Sequence, residues 1–109
     1  MTLDMRLQDA HFEQIKSGAK KIALRLFDEK RAKLNLGDNI VFHKVSSPDE
    51  VILVKVTGLL RYNTFDELCK DINTSLIGDM AENLEEMHKI YSWEREKEYG
   101  VLGIRFELV

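Results

Sequence analysis

Basic side chains concentrate in one short part of the sequence. The segment from Lys16 to Lys33 contains seven basic residues and two acidic ones, which gives a local balance of +5. The other residues include nine basic and 17 acidic ones, a balance of −8, so the formal net charge is −3. Arginine binds phosphate through a planar fork of N–H donors, and lysine binds it as a point charge. The segment therefore predicts a local phosphate-binding surface on an acidic protein, although solvated surface charges would give the same pattern.

Other residue types that carry chemistry are sparse. The three histidines, His11, His43 and His88, fall in separate predicted elements and lack the i, i+4 spacing of a helical zinc site. The sequence contains no P-loop, no G-x-G-x-x-G and no G-x-S-x-G motif. We therefore expect no metal site and none of the standard triphosphatase, dinucleotide or serine-hydrolase sites, and the sequence implies no cofactor.

The cysteine content and the hydropathy indicate a compartment. Cys69 is the only cysteine, so the chain has neither an internal disulfide nor a C-x-x-C motif. The first residues include Asp4 and Asp9 and lack the apolar segment of a secretory signal. No run of residues is long and apolar enough to span a membrane. These features favour a cytoplasmic protein with no membrane partner.

Alternating apolar and polar residues predict the strands that must position the basic segment. The strands run over residues 3–7, 21–26, 40–42, 51–56 and 101–109, and the fourth ends near Gly58. Helices are predicted between them, with caps at Asp9, Thr64, Asn83 and Ser92. Because strands occupy both ends and the middle without a regular βαβ alternation, the pattern predicts a single α+β domain over residues 1–109.

The same alternation assigns one face of each strand to the core. We expect a small, partly open barrel with flanking helices, whose core is formed by Ile22, Leu24, Ile40, Phe42, Val54, Val56, Ile104 and Phe106. On the second strand this leaves Lys21, Ala23 and Arg25 on the opposite face. That face is predicted to line the surface or a cleft.

Three segments of the sequence together resemble the ASCH family, which is named for activating-signal-cointegrator homology. They are Gly18-Ala19-Lys20-Lys21-Ile22-Ala23-Leu24-Arg25, Leu26-Phe27-Asp28-Glu29-Lys30-Arg31 and Gly37-Asp38-Asn39-Ile40-Val41-Phe42. These resemble the family's G-x-K-x-x-E-x-R, D-x-K-R and G-D-x-I-x-F patterns and occur in the same order. Residues 91–96 and 99–104 also resemble the closing segment of small stand-alone bacterial members. The resemblance spans nearly the whole chain.

The resemblance implies both a fold and a class of ligand. ASCH domains are similar to the PUA domain, a small β-barrel, and the family's cleft is proposed to take RNA or a modified nucleoside. Lys20 matches the lysine of the motif and Arg25 matches its arginine, and we expect both to line one cleft. Ala23 departs from the motif, because the family usually has glutamate at this position.

The alanine at position 23 affects whether the resemblance supports hydrolysis or only binding. The family's amidohydrolase branch, which resembles an acetylcytidine deacylase, uses a lysine, a threonine at the position of Ala23, and a downstream glutamate. Asp79 or Glu82 could take the place of that glutamate, and the sequence does not choose between them. A methyl group can neither attack a carbonyl nor move a proton, whereas phosphate binding needs only positive charge held in place.

The first hypothesis is therefore a noncatalytic or weakly catalytic module that binds RNA or a nucleotide. Its predicted contacts are Lys20, Lys21 and Arg25, with an electrostatic rim of Lys30, Arg31 and Lys33 and a stacking ring at Trp93. One alternative is an amidohydrolase or ribonuclease of the same family with a rearranged acid or base. A second alternative is a protein-binding adaptor that uses the acidic helices.

Overall fold

Five strands and four short helices form the part of the chain that the structure describes. The structure is a computed structural model, and it describes residues 2–71 and 93–109. In chain order the elements are β1 (Thr2–Leu7), α1 (Asp9–Lys16), β2 (Ile22–Leu26), α2 (Glu29–Ala32), β3 (Asn39–Lys44), β4 (Ser47–Tyr62), α3 (Phe65–Asp71), α4 (Trp93–Tyr99) and β5 (Val101–Leu108). The helix predicted after Asn83 lies outside the described residues.

The five strands form one mixed sheet in the order β1–β3–β4–β5–β2. β1 pairs with β3 in parallel, and the other three neighbouring pairs are antiparallel. The sheet curves into a half-barrel with helices at its flanks, which confirms the predicted α+β, PUA-like architecture. β2, which carries the basic segment, lies at one edge of this sheet.

β4 is longer than the sequence pattern predicts. Instead of ending near Gly58, the strand continues to Tyr62. A register shift between Val56 and Gly58 bends the strand, so that its first part pairs with β3 and its second part with β5. Glycine fits at the bend because a β-carbon at position 58 would lie 3.1 Å from Cβ of Arg105. The glycine that we interpreted as a stop is therefore part of a β-bulge.

The buried apolar side chains form two clusters. The larger cluster joins the sheet to α1 and consists of Met5, Leu7, Phe12, Ile15, Ala23, Leu34, Ile40, Phe42, Ile52, Val54, Val56, Leu102, Ile104 and Phe106. The smaller cluster joins β2 to α3 and consists of Ile22, Leu24, Leu26, Phe65, Leu68, Cys69 and Val101. Successive residues of a strand point to opposite faces, so β2 contributes to both clusters and is buried on both sides.

All eight residues predicted for the barrel core are buried. Six of them belong to the larger cluster, whereas Ile22 and Leu24 belong to the smaller one because α3 covers that face of β2. Ala23 was expected on a surface or in a cleft, and this expectation is wrong. Its side chain is 0% exposed, within the larger cluster.

The signals for the helix ends are partly as predicted. Oγ1 of Thr64 accepts a hydrogen bond from the backbone N–H of Glu67 at 3.1 Å and caps α3. Asp9, in contrast, does not cap α1, because its carboxylate accepts the backbone N–H of Ser46 at 3.2 Å. Gly18 ends α1 with a φ of +87°, a conformation that residues with a β-carbon rarely adopt. None of the helices within residues 2–71 and 93–109 has the length and apolar character needed to cross a membrane.

Candidate functional site

A cleft lies where α1, the start of β2 and the end of β5 meet. Its volume is about 560 Å³, and the side chains at its wall include Lys20, Lys21, Thr57, Arg105 and Glu107. We call it the β2–β5 cleft. Ligand sites for small molecules commonly measure roughly 300–1,000 Å³, so the cleft has the size of such a site.

Strand pairing brings the charged residues of this cleft together from distant parts of the chain. Arg105 is the register partner of the first residue of β2, and the N–H of Phe106 donates to the carbonyl oxygen of Lys21 at 3.1 Å. The side chains of Lys21 and Arg105 are exposed. The wall carries three formal positive charges, from these two residues and Lys20, and one negative charge, from Glu107.

Lys20 differs from its neighbour Lys21 because only 3% of it is exposed. Its Nζ lies 3.4 Å from Nδ1 of the buried His11 on α1. An ammonium group can only donate, so Nδ1 is the acceptor in this contact. Burial raises the pKa of the Cys69 thiol on α3, the charge of Asp66 raises it further, and the charge of Lys20 lowers it. Lys20 therefore lies at the junction of α1, α3 and β2.

Ala23 is shielded from any ligand in this fold. Its register partner across β2 and β5 is Ile104, and both side chains are fully buried in the larger apolar cluster. The position at which the ASCH motif carries glutamate is therefore part of the hydrophobic core. The buried methyl group of Ala23 can therefore neither attack a substrate nor transfer a proton.

Arg25 lies away from the β2–β5 cleft and is not among the described residues at its wall. Its side chain is half-buried, and Nη1 donates to the carbonyl oxygen of Leu24 at 2.6 Å. The register places Arg25 opposite Leu102, which in turn is opposite Arg61 of β4. The guanidinium of Arg61 lies 3.9 Å from the ring centroid of Phe27. The structure thus places Arg25 two strands from Arg61 and does not bring it to Lys20 in this cleft.

Two of the three predicted rim residues line a second cleft, between α2 and α4. This α2–α4 cleft has a volume of about 490 Å³, and its wall includes Leu3, Asp28, Glu29, Lys30, Lys33, Arg95 and Tyr99. Arg31 is not among the described residues at its wall. Its Nη1 instead donates to Oδ2 of Asp28 at 2.9 Å. Lys30 and Lys33 are therefore grouped with one another, and Arg31 belongs to an internal ion pair of α2.

Several residues singled out from the sequence lie outside the described part of the chain. Asp79 and Glu82 are among them, and so is the side chain of Trp93, whose backbone begins α4. Within residues 2–71 and 93–109, no group of three or more His, Cys, Asp or Glu side chains is placed to hold a metal ion.

Sequence reasoning missed Arg105 and Arg95 as cleft residues. The alternation of β5 assigns Arg105 to the face opposite the core, which is a signal that the sequence does contain. What the sequence lacks is the sheet order, which alone places this arginine beside the start of β2. Arg95 and Tyr99 lie four residues apart, which puts them on one face of a helix, a spacing that indicates a shared surface.

The half-barrel and its motif segments define a domain of the ASCH type. A sequence model of the ASCH domain matches residues 5–109. The chain therefore belongs to the ASCH domain family. No curated protein matches the sequence.

Two solved structures resemble the whole chain at more than 30% identity. The crystal structure of the hypothetical protein PH0355 is 34% identical, with 100% of each chain covered and a TM-score of 0.87. The solution NMR structure of protein PF0455 from Pyrococcus furiosus is 31% identical, covering 100% of this chain and 98% of that chain, with a TM-score of 0.73. The crystal structure of ASCH from Zymomonas mobilis shares the fold at 14% identity and a TM-score of 0.61, covering 95% of this chain and 65% of that chain.

Proposed function

We propose that this ASCH domain binds RNA or a nucleotide in the β2–β5 cleft, which acts as a basic cleft. The observation that carries the proposal is the meeting of Lys20, Lys21 and Arg105 at one wall, with Glu107 as the acidic residue described there. Phosphate groups favour such clusters, because each cation contributes a charge-assisted hydrogen bond. The association of the ASCH family with RNA binding supports the same ligand class.

Lysines elsewhere on the surface form ion pairs with carboxylates, whereas two basic residues of the cleft do not, and this difference supports the proposal. Lys16 pairs with Glu50 at 3.2 Å, and Lys44 pairs with Glu13 at 2.8 Å. Among the described residues, neither Lys21 nor Arg105 forms an ion pair with a carboxylate. No described carboxylate therefore neutralises these two exposed charges at the cleft wall, which leaves them accessible to a ligand phosphate.

The burial of Ala23 favours binding over the hydrolysis known in the family. Hydrolysis of an acylated cytidine requires a group that attacks or moves a proton, and the core methyl group of Ala23 provides neither. Binding requires only the cations at the cleft wall. An amidohydrolase or ribonuclease with a rearranged acid or base is the alternative, and its activity is measured in the same experiment.

The compartment that we propose for this function is the cytoplasm. Cys69, the single cysteine of the chain, is free and buried. Proteins of oxidising compartments tend to use cysteines in disulfides, so a free thiol fits a reducing compartment in which RNA is abundant.

The test is a binding titration of labelled single-stranded RNA and of nucleotides over a series of salt concentrations. The cleft variant is Lys21→Ala with Arg105→Ala, both at exposed positions of the wall. The matched control is Arg6→Ala with Lys70→Ala, which removes two exposed positive charges outside the described cleft walls. We expect the cleft variant to bind at least about tenfold more weakly and the control to bind like wild type.

The salt dependence supplies a second readout. Loss of two phosphate contacts should reduce the slope of log affinity against log salt by about 1.4, since each contact to a single strand contributes roughly 0.7. Equal binding by the cleft variant and the control would overturn the proposed site, and absence of binding by wild type would overturn the function. Release of acetate from acetylcytidine, or cleavage of the RNA, would favour the enzymatic alternative.

A further inference from the structure

Four neighbouring strands leave one face of the sheet open. On β1, β3, the first part of β4 and the end of β5, every second side chain belongs to the larger apolar cluster, so the residues between them point the other way. Those residues are exposed or half-buried. The strand pairings place them in three rows, one with Arg6, His43 and Val51, one with Asp4, Val41, Leu53 and Val109, and one with Thr2, Asn39, Lys55 and Glu107. We call these three rows the open sheet face.

The centre of the open sheet face is apolar. Val51 is 48% exposed, Leu53 42% and Val109 77%, and Val41 beside Leu53 is half-buried. The solvated face of an antiparallel sheet usually carries polar residues, whereas residues 51–54 are all apolar, which is typical of a strand that is covered on both faces. Exposed apolar residues with a polar rim mark interaction sites. The open sheet face therefore has the character of a docking surface.

The charges of the open sheet face indicate the kind of partner. Arg6 and Lys55 contribute two positive formal charges, and Asp4 and Glu107 contribute two negative ones, so the sum is zero with histidine neutral. Nucleic acids and anionic membranes are bound through an excess of positive charge, which this face lacks. A protein surface with a matching order of charges is the partner that it fits.

The order of the charges matches a second copy of the same face. Arg6 lies on the first strand and in the first row, and Glu107 lies on the last strand and in the third row, so the two occupy opposite corners. A twofold axis between two copies, running along the other diagonal through the Thr2 corner, brings Arg6 of each copy opposite Glu107 of the other. Such self-complementary contacts define a symmetric dimer interface. Neither Arg6 nor Glu107 forms an ion pair with another described residue.

The same axis also matches the apolar residues. Val41 and Leu53 lie next to it and would pack on their counterparts, while Val51 would meet Val109 of the partner subunit. Because the axis is diagonal to the strands, the strands of the two copies cross at nearly a right angle, as in orthogonal sheet packing. Four strands of about six residues give a footprint of roughly 400 Å² per copy, about half of the roughly 800 Å² that each partner buries in a stable complex. The dimer is therefore of the weak, reversible kind.

We propose that the open sheet face is the interface of a weak homodimer in which Arg6 of each subunit pairs with Glu107 of the partner subunit. The inference is independent of the proposed function. Lys21 and Arg105 lie outside the three rows, so these cations of the β2–β5 cleft stay accessible in the dimer, although Glu107 borders that cleft as well.

The test is sedimentation velocity from about 10 µM to about 1 mM protein, the range in which an interface of this size associates. We expect the mass of wild type to rise with concentration toward twice the chain mass of 12.7 kDa. Arg6→Glu and Glu107→Arg each place like charges opposite one another at both contacts, so each variant alone should dimerise at least about tenfold more weakly. An equimolar mixture of the two variants restores both pairs and should dimerise like wild type. Lys70→Glu and Glu98→Arg, the same exchanges at exposed positions outside the face, are the controls and should dimerise like wild type.

Each part of the proposal can fail separately. A wild type that stays monomeric up to about 1 mM overturns the dimer and leaves the open sheet face to a different protein. Single variants that dimerise as wild type does would show that another surface forms the dimer. A mixture that stays monomeric, although both variants are folded by circular dichroism, would contradict the diagonal twofold arrangement. Leu53→Thr keeps a β-branched residue on the strand and should also weaken the dimer, because it removes apolar area beside the axis.

Discussion

Nζ of Lys20 lies 3.4 Å from Nδ1 of His11 in the buried junction of α1, α3 and the start of β2. The two residues are nine positions apart in the chain, and a turn at Gly18 brings them together. Cys69 of α3 is close enough for the charge of Lys20 to act on its thiol. The single cysteine of the chain therefore reports on the environment of the motif lysine.

Replacing Lys20 with methionine should raise the pKa of the Cys69 thiol further. Burial already holds this pKa above its usual value, Asp66 adds to the increase, and the charge of Lys20 opposes both. The pH profile of iodoacetamide alkylation, followed by mass spectrometry from about pH 7 to about pH 10, should shift upward. Lys21→Met, at the exposed neighbouring position, is the control and should leave the profile in place. A downward shift for Lys20→Met contradicts the prediction.

Restoring the family residues at position 23 should destabilise the protein. Ala23→Thr inserts a larger polar side chain against Ile104 in a fully buried cluster, at a cost of about 1–3 kcal/mol in the free energy of unfolding. Ala23→Glu also buries a carboxyl group, so its cost should be larger, roughly 3 kcal/mol or more. Urea unfolding measures both values. Ala10→Glu, at an exposed position of α1, should stay within about 0.5 kcal/mol of wild type.

His43 should contribute to stability only at the lower end of the physiological pH range. Its Nε2 lies 2.9 Å from Oδ1 of Asp4 and its Nδ1 lies 3.1 Å from the carbonyl oxygen of Pro48, so both nitrogens face acceptors. Only the doubly protonated ring can donate to both acceptors. The hydrogen bond with Asp4 raises the pKa of His43 most, and the hydrogen bond with the Pro48 carbonyl raises it further. The contribution is therefore fully present below the ordinary value of 6.5 and is lost as pH rises through the higher pKa of the folded state.

Asp4→Asn tests this pH dependence. The difference in unfolding free energy between wild type and this variant should be largest near about pH 6 and should shrink toward about pH 9. Asp49→Asn removes an exposed carboxylate at the nearby start of β4 and serves as the control, with a difference that varies little with pH. A wild-type advantage over Asp4→Asn that grows with pH would have the wrong sign for the proposed interaction.

Thr64→Ala should destabilise the protein by about 1 kcal/mol through the loss of a helix cap. The Thr64 hydroxyl accepts the N–H of Glu67 at the first turn of α3, which covers the outer face of β2 with Phe65 and Leu68. Thr64→Ser keeps the hydroxyl and should restore most of the stability, as measured by urea unfolding. Equal losses for the two variants would show that the threonine methyl group, and not the cap, carries the effect.

Much of the fold could be predicted from local signals, because strand alternation and turn residues act over short distances. The predicted strand at 51–56 missed the continuation to Tyr62, since a glycine at a β-bulge and a glycine at a strand end look alike in the sequence. The two-sided burial of β2 was missed because it depends on α3, which packs on the strand from a distant part of the chain. That residues 1–109 fold as a single domain stays a prediction.

The sequence predicted which types of residue form the candidate site, but it did not predict which of these residues lie in the same cleft. The motif identified Lys20 and Arg25, and Lys21 was predicted as a neighbouring contact. Periodicity could not show that Arg105 joins the two lysines while Arg25 lies beyond the buried Ala23. Side chains from separate elements meet through the order of the strands in the sheet, which is a nonlocal property. For the same reason the sequence assigned no role to Arg95 of α4, which the structure places beside Lys30 and Lys33.

The position of β2 beyond β5 in the sheet determines when the β2–β5 cleft can form during synthesis. Lys20 and Lys21 leave the ribosome before Arg105, which lies on the strand that pairs with β2. Closing this long loop is entropically costly, so we expect the pairing of β2 with β5 to be a late step of folding. A nascent chain that lacks β5 carries the basic segment without the cleft. A ligand that binds both strands, as proposed, would hold together the part of the sheet that we expect to form last.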